Sequence, residues 1–475
     1  MNHHNISCNK TSFRYNLIKQ GKHLVSITLL GLLVACDNFV EVELPTSQLT
    51  SPTVFENYTT ATAAMVDIYA QIRNNGVLAG TVTGVSNQMG NYTDELTFYG
   101  SSFMGTINFY NNTLIPSNTD IATLWNNSYS QIYATNAVIE GATNSTGLSV
   151  AEKNQLLGEA YFTRALVHFY LLNLFGDIPY ITTTDYRVNS IVSRMSSTQV
   201  YANIKTDLLL SSSMLSDDYI TPERVRPNKA TVKALLARVY LYTGDWNAAV
   251  NEASDIISNT GLYVWDTNLD NIFLKESTTT IWQLMPQSAG RNTEEGSTFI
   301  FNQGPPPVVA LNDNLIAAFE VGDERKNHWT KAVTDGVNTW YHAYKYKQFT
   351  NTGTSQEYSI IFRLAEQYLI RAEALAQLGD LLGAKTDLNK IRNTAGLPDT
   401  AALTQQDIIT AIIQERRVEF FTELGHRFFD LKRTNNLDAA LSGVKTGWNT
   451  TDRLLPLPES ELLMNPNLNP QNPGY

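Results

Sequence analysis

The stretch 235-LLARVYLYTGDWNAAVNEASDII-257 returns in outline at 369-LIRAEALAQLGDLLGAKTDLNKI-391. Each copy is an apolar helical segment, a Gly-Asp turn, and a second helical segment with an alanine five residues past the glycine: Ala249 after Gly244, Ala384 after Gly379. A small residue there lets two antiparallel helices approach closely, so each copy reads as a helix pair that must bury its apolar face against neighbours.

Outward from these copies, 158-GEAYFTRALVHFYLLNLFGDIP-179 is apolar almost all round, the pattern of a buried helix, and Gly176 and Pro179 end it. Gly176-Asp177 reads as a third, degenerate copy of the turn. Two helical stripes precede it: Ala64, Ile68 and Ile72 with Met65 nearby, then Trp125, Tyr129, Ile132, Asn136 and Ile139. Together they predict a mainly α chain, a tetratricopeptide-like scaffold of about four stacked helix pairs over 61–73, 123–257 and 360–435. Residues 74–120 and 259–357 break the period with Gly, Asn, Thr and aromatic residues and read as long irregular regions, the first with room for short strands. Irregular stretches of that length in a globular chain carry function. The end, 455-LPLPESELLMNPNLNPQNPGY-475, reads as an extended strap over the surface.

At the other end, Lys10, Arg14, Lys19 and Lys22 precede an apolar run, Leu24 to Val34, that is too short to span a bilayer and reads as an export segment. Leu33-Val34-Ala35-Cys36 resembles the bacterial lipobox, which implies cleavage before Cys36 and acylation of that residue. The expected organisation is a lipoprotein signal peptide over 1–35, a lipidated N-terminus and tether over 36–60, and one domain over 61–475. The only other cysteine, Cys8, lies in the segment to be removed, so no thiol would remain for a disulfide, a Cys-based metal site or a nucleophile. The chain carries a net charge of −11, and that segment holds four basic residues and no acidic one, which puts the mature form near −15. Such a surface argues against nucleic acid and anionic headgroups as partners.

Five ordered segments carry a resemblance to a known family: 158–179, 226-RPNKATVKALLARVYLYTGDWNAAV-250, 361-IFRLAEQYLIRAEAL-375, 415-ERRVEFFTELGHRFFDLKR-433 and 465-NPNLNPQNPGY-475. From the lipobox to the last residue the chain resembles the SusD/RagB family of Bacteroidetes outer-membrane lipoproteins. It departs at Thr422-Glu423-Leu424-Gly425, where the family more often has Phe-Glu-Gly before His-Arg. The resemblance implies a surface-exposed lid on a SusC-like, TonB-dependent transporter. Such a lid captures oligosaccharide or polysaccharide, or peptide in some members, for import. The acyl chains on Cys36 would hold it at the outer leaflet of the outer membrane, and Asp37, Glu41 and Glu43 are compatible with a surface-export signal. A helix-pair stack is also a protein-binding surface by habit, which leaves open a lid or assembly subunit without a ligand of its own.

His426, Arg427, Asp430 and Arg433 fall on successive turns and could be arranged as base, acid and charge clamp. The same spacing makes Arg427 with Asp430, and Asp430 with Arg433, local i,i+3 ion pairs, and Glu415, Arg416, Arg417 and Glu419 add a second charged cluster. A structural ion-pair network, not catalysis, is expected. Patterns for metal ligation or phosphate cradling are absent, and no cofactor is expected. A sugar site needs flat apolar faces for the C–H side of the ring, flanked by Asn, Asp, Arg or Gln for the hydroxyls. Two clusters supply that mixture: Asp94, Phe98, Tyr99, Phe103 and Tyr110 in one irregular region, and Arg291, Trp329, Trp340 and Tyr341 in the other. Asp94 reads equally as a loop cap, and rings on helical stripes, such as Trp125, Tyr129, Phe169 and Tyr240, read as core. The expectation for binding is that the two clusters meet.

Overall fold

The computed structural model describes residues 52–475. The expected signal segment, the expected lipidation at Cys36 and the expected tether up to residue 51 lie outside the described residues.

Helix α1 (Tyr58–Asn74) starts on Asn57, whose side chain accepts the Thr60 N–H, and buries Ala61, Ala64, Met65, Ile68 and Ile72. The region read as irregular then holds α2 (Val85–Tyr92), β1 (Leu96–Phe98) and α3 (Thr106–Asn111). Every residue of α2 is buried, Ser86, Asn87, Gln88 and Asn91 included, so it has no polar face and no period to read. Two of its amides are met locally, Asn87 Nδ2 donating to the Val82 carbonyl at 2.6 Å and Asn91 Nδ2 to that of Asn87 at 2.9 Å, while Gln88 Nε2 donates to Asp120 of the next long helix at 2.9 Å.

Next come α4 (Thr119–Asn144) and α5 (Val150–Phe175), the latter opened by a Ser149/Glu152 capping box and buried almost throughout from Leu156 onward. Then follow α6 (Ser197–Met214), α7 (Lys229–Thr243) and α8 (Trp246–Ser258). The second irregular region contributes β2 (Thr280–Leu284), β3 (Val309–Leu311), β4 (Thr330–Thr334) and β5 (Thr339–Ala343), with helical turns between them. The chain re-enters the scaffold through β6 (Ser359–Arg363), where helix was expected from residue 360, and continues as α9 (Leu364–Leu378), α10 (Leu381–Thr394), α11 (Gln405–Glu419) and α12 (His426–Arg433). The terminal strap contains α13 (Glu459–Met464).

The helices form one continuous stack in which α1 packs on α4, α4 on α5, and so on through α6, α7, α8, α9 and α10, with α11 on both α9 and α10. At both repeat turns the glycine takes positive φ, +74° at Gly244 and +88° at Gly379. The aspartate N–H after it closes back onto Tyr240 or Leu375, and its carboxylate caps the next helix at Ala248 or Gly383. Ala249 and Ala384 are fully buried at the close approach. Gly176 also has positive φ, but no helix follows it at once: Asp177 instead accepts from the Ser197 N–H at 2.8 Å, capping a helix that begins twenty residues further on.

Antiparallel pairing gives a four-stranded sheet in the order β1-β3-β5-β4, while β2 and β6 pair separately. Leu96 stands opposite Leu311, Phe98 opposite Val309, Leu311 opposite Tyr341 and Val333 opposite Trp340. Under the sheet lies an apolar cluster that includes Leu96, Phe273, Leu311, Trp329 and Phe421.

Buried ion pairs tie the layers. Arg238 of α7 grips Glu366 of α9 through two bonds of 2.6 and 2.7 Å, Arg416 meets Asp430 at 2.7 Å, and Arg433 reaches both Asp430 and Glu373. Arg325 meets Glu415 and Glu419, and Arg363 meets Glu419 and Glu423. One expected pair is different: Arg427 does not bind Asp430 but spans to Asp94 across the fold. His426 is buried in this network, and burial, together with the charges of Arg238 and Arg416, holds its imidazole well below the usual range and so neutral. The closing strap is sewn down by Asn472, whose amide donates to the carbonyls of Phe175 and Leu455, and by Arg194, which donates to Pro470 O.

Candidate functional site

Pairing of β1 with β3 brings residues 96–98 beside residues 309–311, and β5 adds Trp340 and Tyr341 on the other side of β3. The chain leaves β1 with the Tyr99 and Gly100 N–H groups both donating to Val308 O, at 2.8 and 3.1 Å, which pins the start of the loop that carries Phe103. The two aromatic clusters therefore meet. Tyr99 and Trp340 stand edge to face, with ring centroids 6.5 Å apart and planes at 89°.

Side chains alternate along a strand, and this decides which rings are open. Phe98 and Tyr341 pack against the cluster under the sheet. Trp340, next to Tyr341, is turned to the other side and rests on Gly304, where an added Cβ would lie only 2.0 Å from its ring. Tyr99 is 41% exposed and Phe103, at the loop tip, 97%. Behind them Tyr110, half-buried, stacks obliquely on Phe98 and carries the Lys445 ammonium 4.1 Å from its ring centre. The open surface is thus the pair Tyr99 and Trp340, with Phe103 exposed further along the same loop as Tyr99. Ser101 and Ser102 border it on one loop, and the exposed amides Asn302 and Gln303 directly precede Gly304 on another.

Other candidates lie elsewhere. Trp329 is 1% exposed; its indole N–H donates to Leu269 O at 3.0 Å, and Lys345 and Arg363 flank its ring. It is a core residue. Asp94 is buried, with both carboxylate oxygens taken by Arg427 and one also by Arg417, at 2.8 to 2.9 Å. Burial pushes its carboxyl up, but the bonds and charges of these two arginines outweigh that and hold it below the usual range. Asp94 is neither a ligand contact nor a loop cap but a strut between β1 and the C-terminal helices. Arg291 pairs with Glu294 at 3.3 Å and, among the described residues, makes no contact with the ring platform. Glu95, beside Asp94, is fully buried; burial first, then the Asp94 charge, pushes its carboxyl up to about 8.

The amide pair Asn302-Gln303 and Gly304 were not singled out from the sequence. The available signal was a glycine ahead of a proline run in an irregular region, a place where backbone can approach a flat ring. Among the described residues no group of three or more His, Cys, Asp or Glu is placed to hold a metal ion.

Comparison with known proteins adds to this geometry. Residues 318–475 match the family model described as the SusD family, and residues 41–241 match one described as starch-binding, associating with the outer membrane. A similar curated relative is SusD-like protein P2 of Formosa agariphila, 28% identical over 94% of this chain and 98% of the relative. Among solved structures, a SusD superfamily protein of Bacteroides vulgatus superposes with a TM-score of 0.76 at 20% identity, covering 89% of this chain and all of that one. Surface glycan-binding protein A of Bacteroides thetaiotaomicron, solved with laminarihexaose, superposes with a TM-score of 0.74 at 19% identity, covering 87% of this chain and 99% of that one.

Proposed function

The chain belongs to the SusD/RagB family, and on that premise we propose that it captures a neutral glycan, first of all a glucan, on the Tyr99–Trp340 platform. In this reading the protein is tethered to the outer membrane by acyl chains on Cys36 after loss of residues 1–35. It passes its ligand to a SusC-like, TonB-dependent transporter.

The observation that carries the reading is the Tyr99–Trp340 pair set edge to face at the sheet, with exposed Phe103, Ser101 and Ser102 on the loop of Tyr99 and exposed Asn302 and Gln303 on the loop of Gly304. Rings so placed offer apolar faces to pyranose C–H groups, while the neighbouring Ser, Asn and Gln side chains suit sugar hydroxyls. Glucan is put first because starch appears in the matching family description and laminarihexaose is bound by one structural neighbour.

The test uses unlipidated residues 37–475 in native gels loaded with starch, laminarin and other soluble polysaccharides. Retarded migration by one glycan class is the expected result and names the ligand. A folded protein that no polysaccharide retards would overturn glycan capture in favour of peptide capture or of a lid without a ligand of its own.

A further inference from the structure

One cavity shares no residue with the ring platform. It measures about 550 Å³, within the range of small-molecule sites, and lies between α4, the segment that follows α5, and α13 of the C-terminal strap. Trp125, Tyr129 and Tyr133 line it from successive turns of α4, Val192 closes another side, and Glu461 and Met464 reach in from α13. Trp125 and Tyr129 are close-packed, centroids 4.7 Å apart, and Tyr129 is anchored by its hydroxyl, which donates to Pro179 O at 2.9 Å. Tyr133 is 43% exposed at the mouth.

Glu461 is the feature in need of a partner. Its carboxylate has no hydrogen bond or ion pair among the described residues, although it is half-buried against these rings. Arg194 is close enough for its charge to be felt at Tyr129, but its guanidinium is spent on Asp177 O, Pro470 O and Asn472 Oδ1. Burial alone pushes the Glu461 carboxyl above the usual range, and no charge on the described residues offsets it. The lining also holds Asn126, Ser130, Ser190 and Asn465, so it is the unpaired carboxylate, and not the walls, that decides for a cation over a neutral ligand. Aromatic faces and an uncompensated carboxylate both favour positive charge on an apolar body.

We propose that this cavity is a second binding site, for an organic monocation whose aryl or alkyl body lies against Trp125, Tyr129 and Tyr133 and whose ammonium meets Glu461.

Calorimetric titration of the purified protein with 2-phenylethylammonium, 2-phenylethanol and phenylacetate tests this. The ammonium should bind about tenfold or more tighter than the alcohol, and phenylacetate weakest of the three. Glu461→Gln should remove the advantage of the cation while leaving the alcohol within about twofold, and Ser130→Trp, which fills the cavity from α4, should abolish both. No binding of the ammonium to folded protein at 10 mM, equal binding of ammonium and phenylacetate, or an advantage that survives Glu461→Gln would each overturn the proposal.

Discussion

Trp329 and Trp340 lie eleven positions apart in one irregular region and have opposite fates. Trp329 sits under the sheet, so Trp329→Ala opens a large void and should cost about 3–5 kcal/mol in chemical denaturation. Trp340 is held by Gly304 instead, and Gly304→Ala should drive the ring out of place and weaken glycan binding about tenfold while costing less stability than Trp329→Ala. Composition marked both tryptophans, but burial could not be read from it, because it depends on pairing between strands more than two hundred residues apart. Asp94 illustrates the same limit, since the arginines that claim it come from residues 417 and 427. Its neighbour Glu95 is neutral when folded, with a pKa of about 8 against an ordinary carboxyl when unfolded. Its contribution to stability is therefore full below about pH 4.3 and lost as pH rises through about 8. In paired denaturation curves Glu95→Gln should change stability by under about 0.5 kcal/mol at pH 4 and raise it by about 2–4 kcal/mol at pH 9.

At the scale of elements, the Gly-Asp turns do two jobs with two residues: the glycine ends one helix and the aspartate begins the next. Nothing lies within 4 Å of a Cβ added at Gly379, so Gly379→Ala should cost only the strain of its positive φ, about 1 kcal/mol by thermal denaturation. Glu366 links α9 to α7 through Arg238, and removing it strands a buried guanidinium; Glu366→Ala should cost about 3–5 kcal/mol. The helix pairs were legible because their apolar stripes repeat and their turns share a signature. Helix α2 was not, because a helix buried on all sides with Asn and Gln has no stripe. The strands could not be placed, although room for short ones was read in 74–120 where β1 lies, because three to five residues are too few to show alternation.

For the whole molecule, stack and sheet divide the work. The helices are locked by buried ion pairs and by a strap that returns across α5, whereas the sheet gathers rings from two distant irregular regions onto one open face. That division explains why the scaffold could be read from local periodicity and the site only as two clusters in search of each other. The most direct test is calorimetric titration of the retained oligosaccharide into the wild-type protein, Tyr99→Ala and Trp340→Ala, with thermal melts of each. The account predicts that both variants lose at least about tenfold in affinity while melting within a few degrees of the wild type. Unchanged affinity in both, with the glycan still bound, would place the ligand elsewhere and contradict the platform.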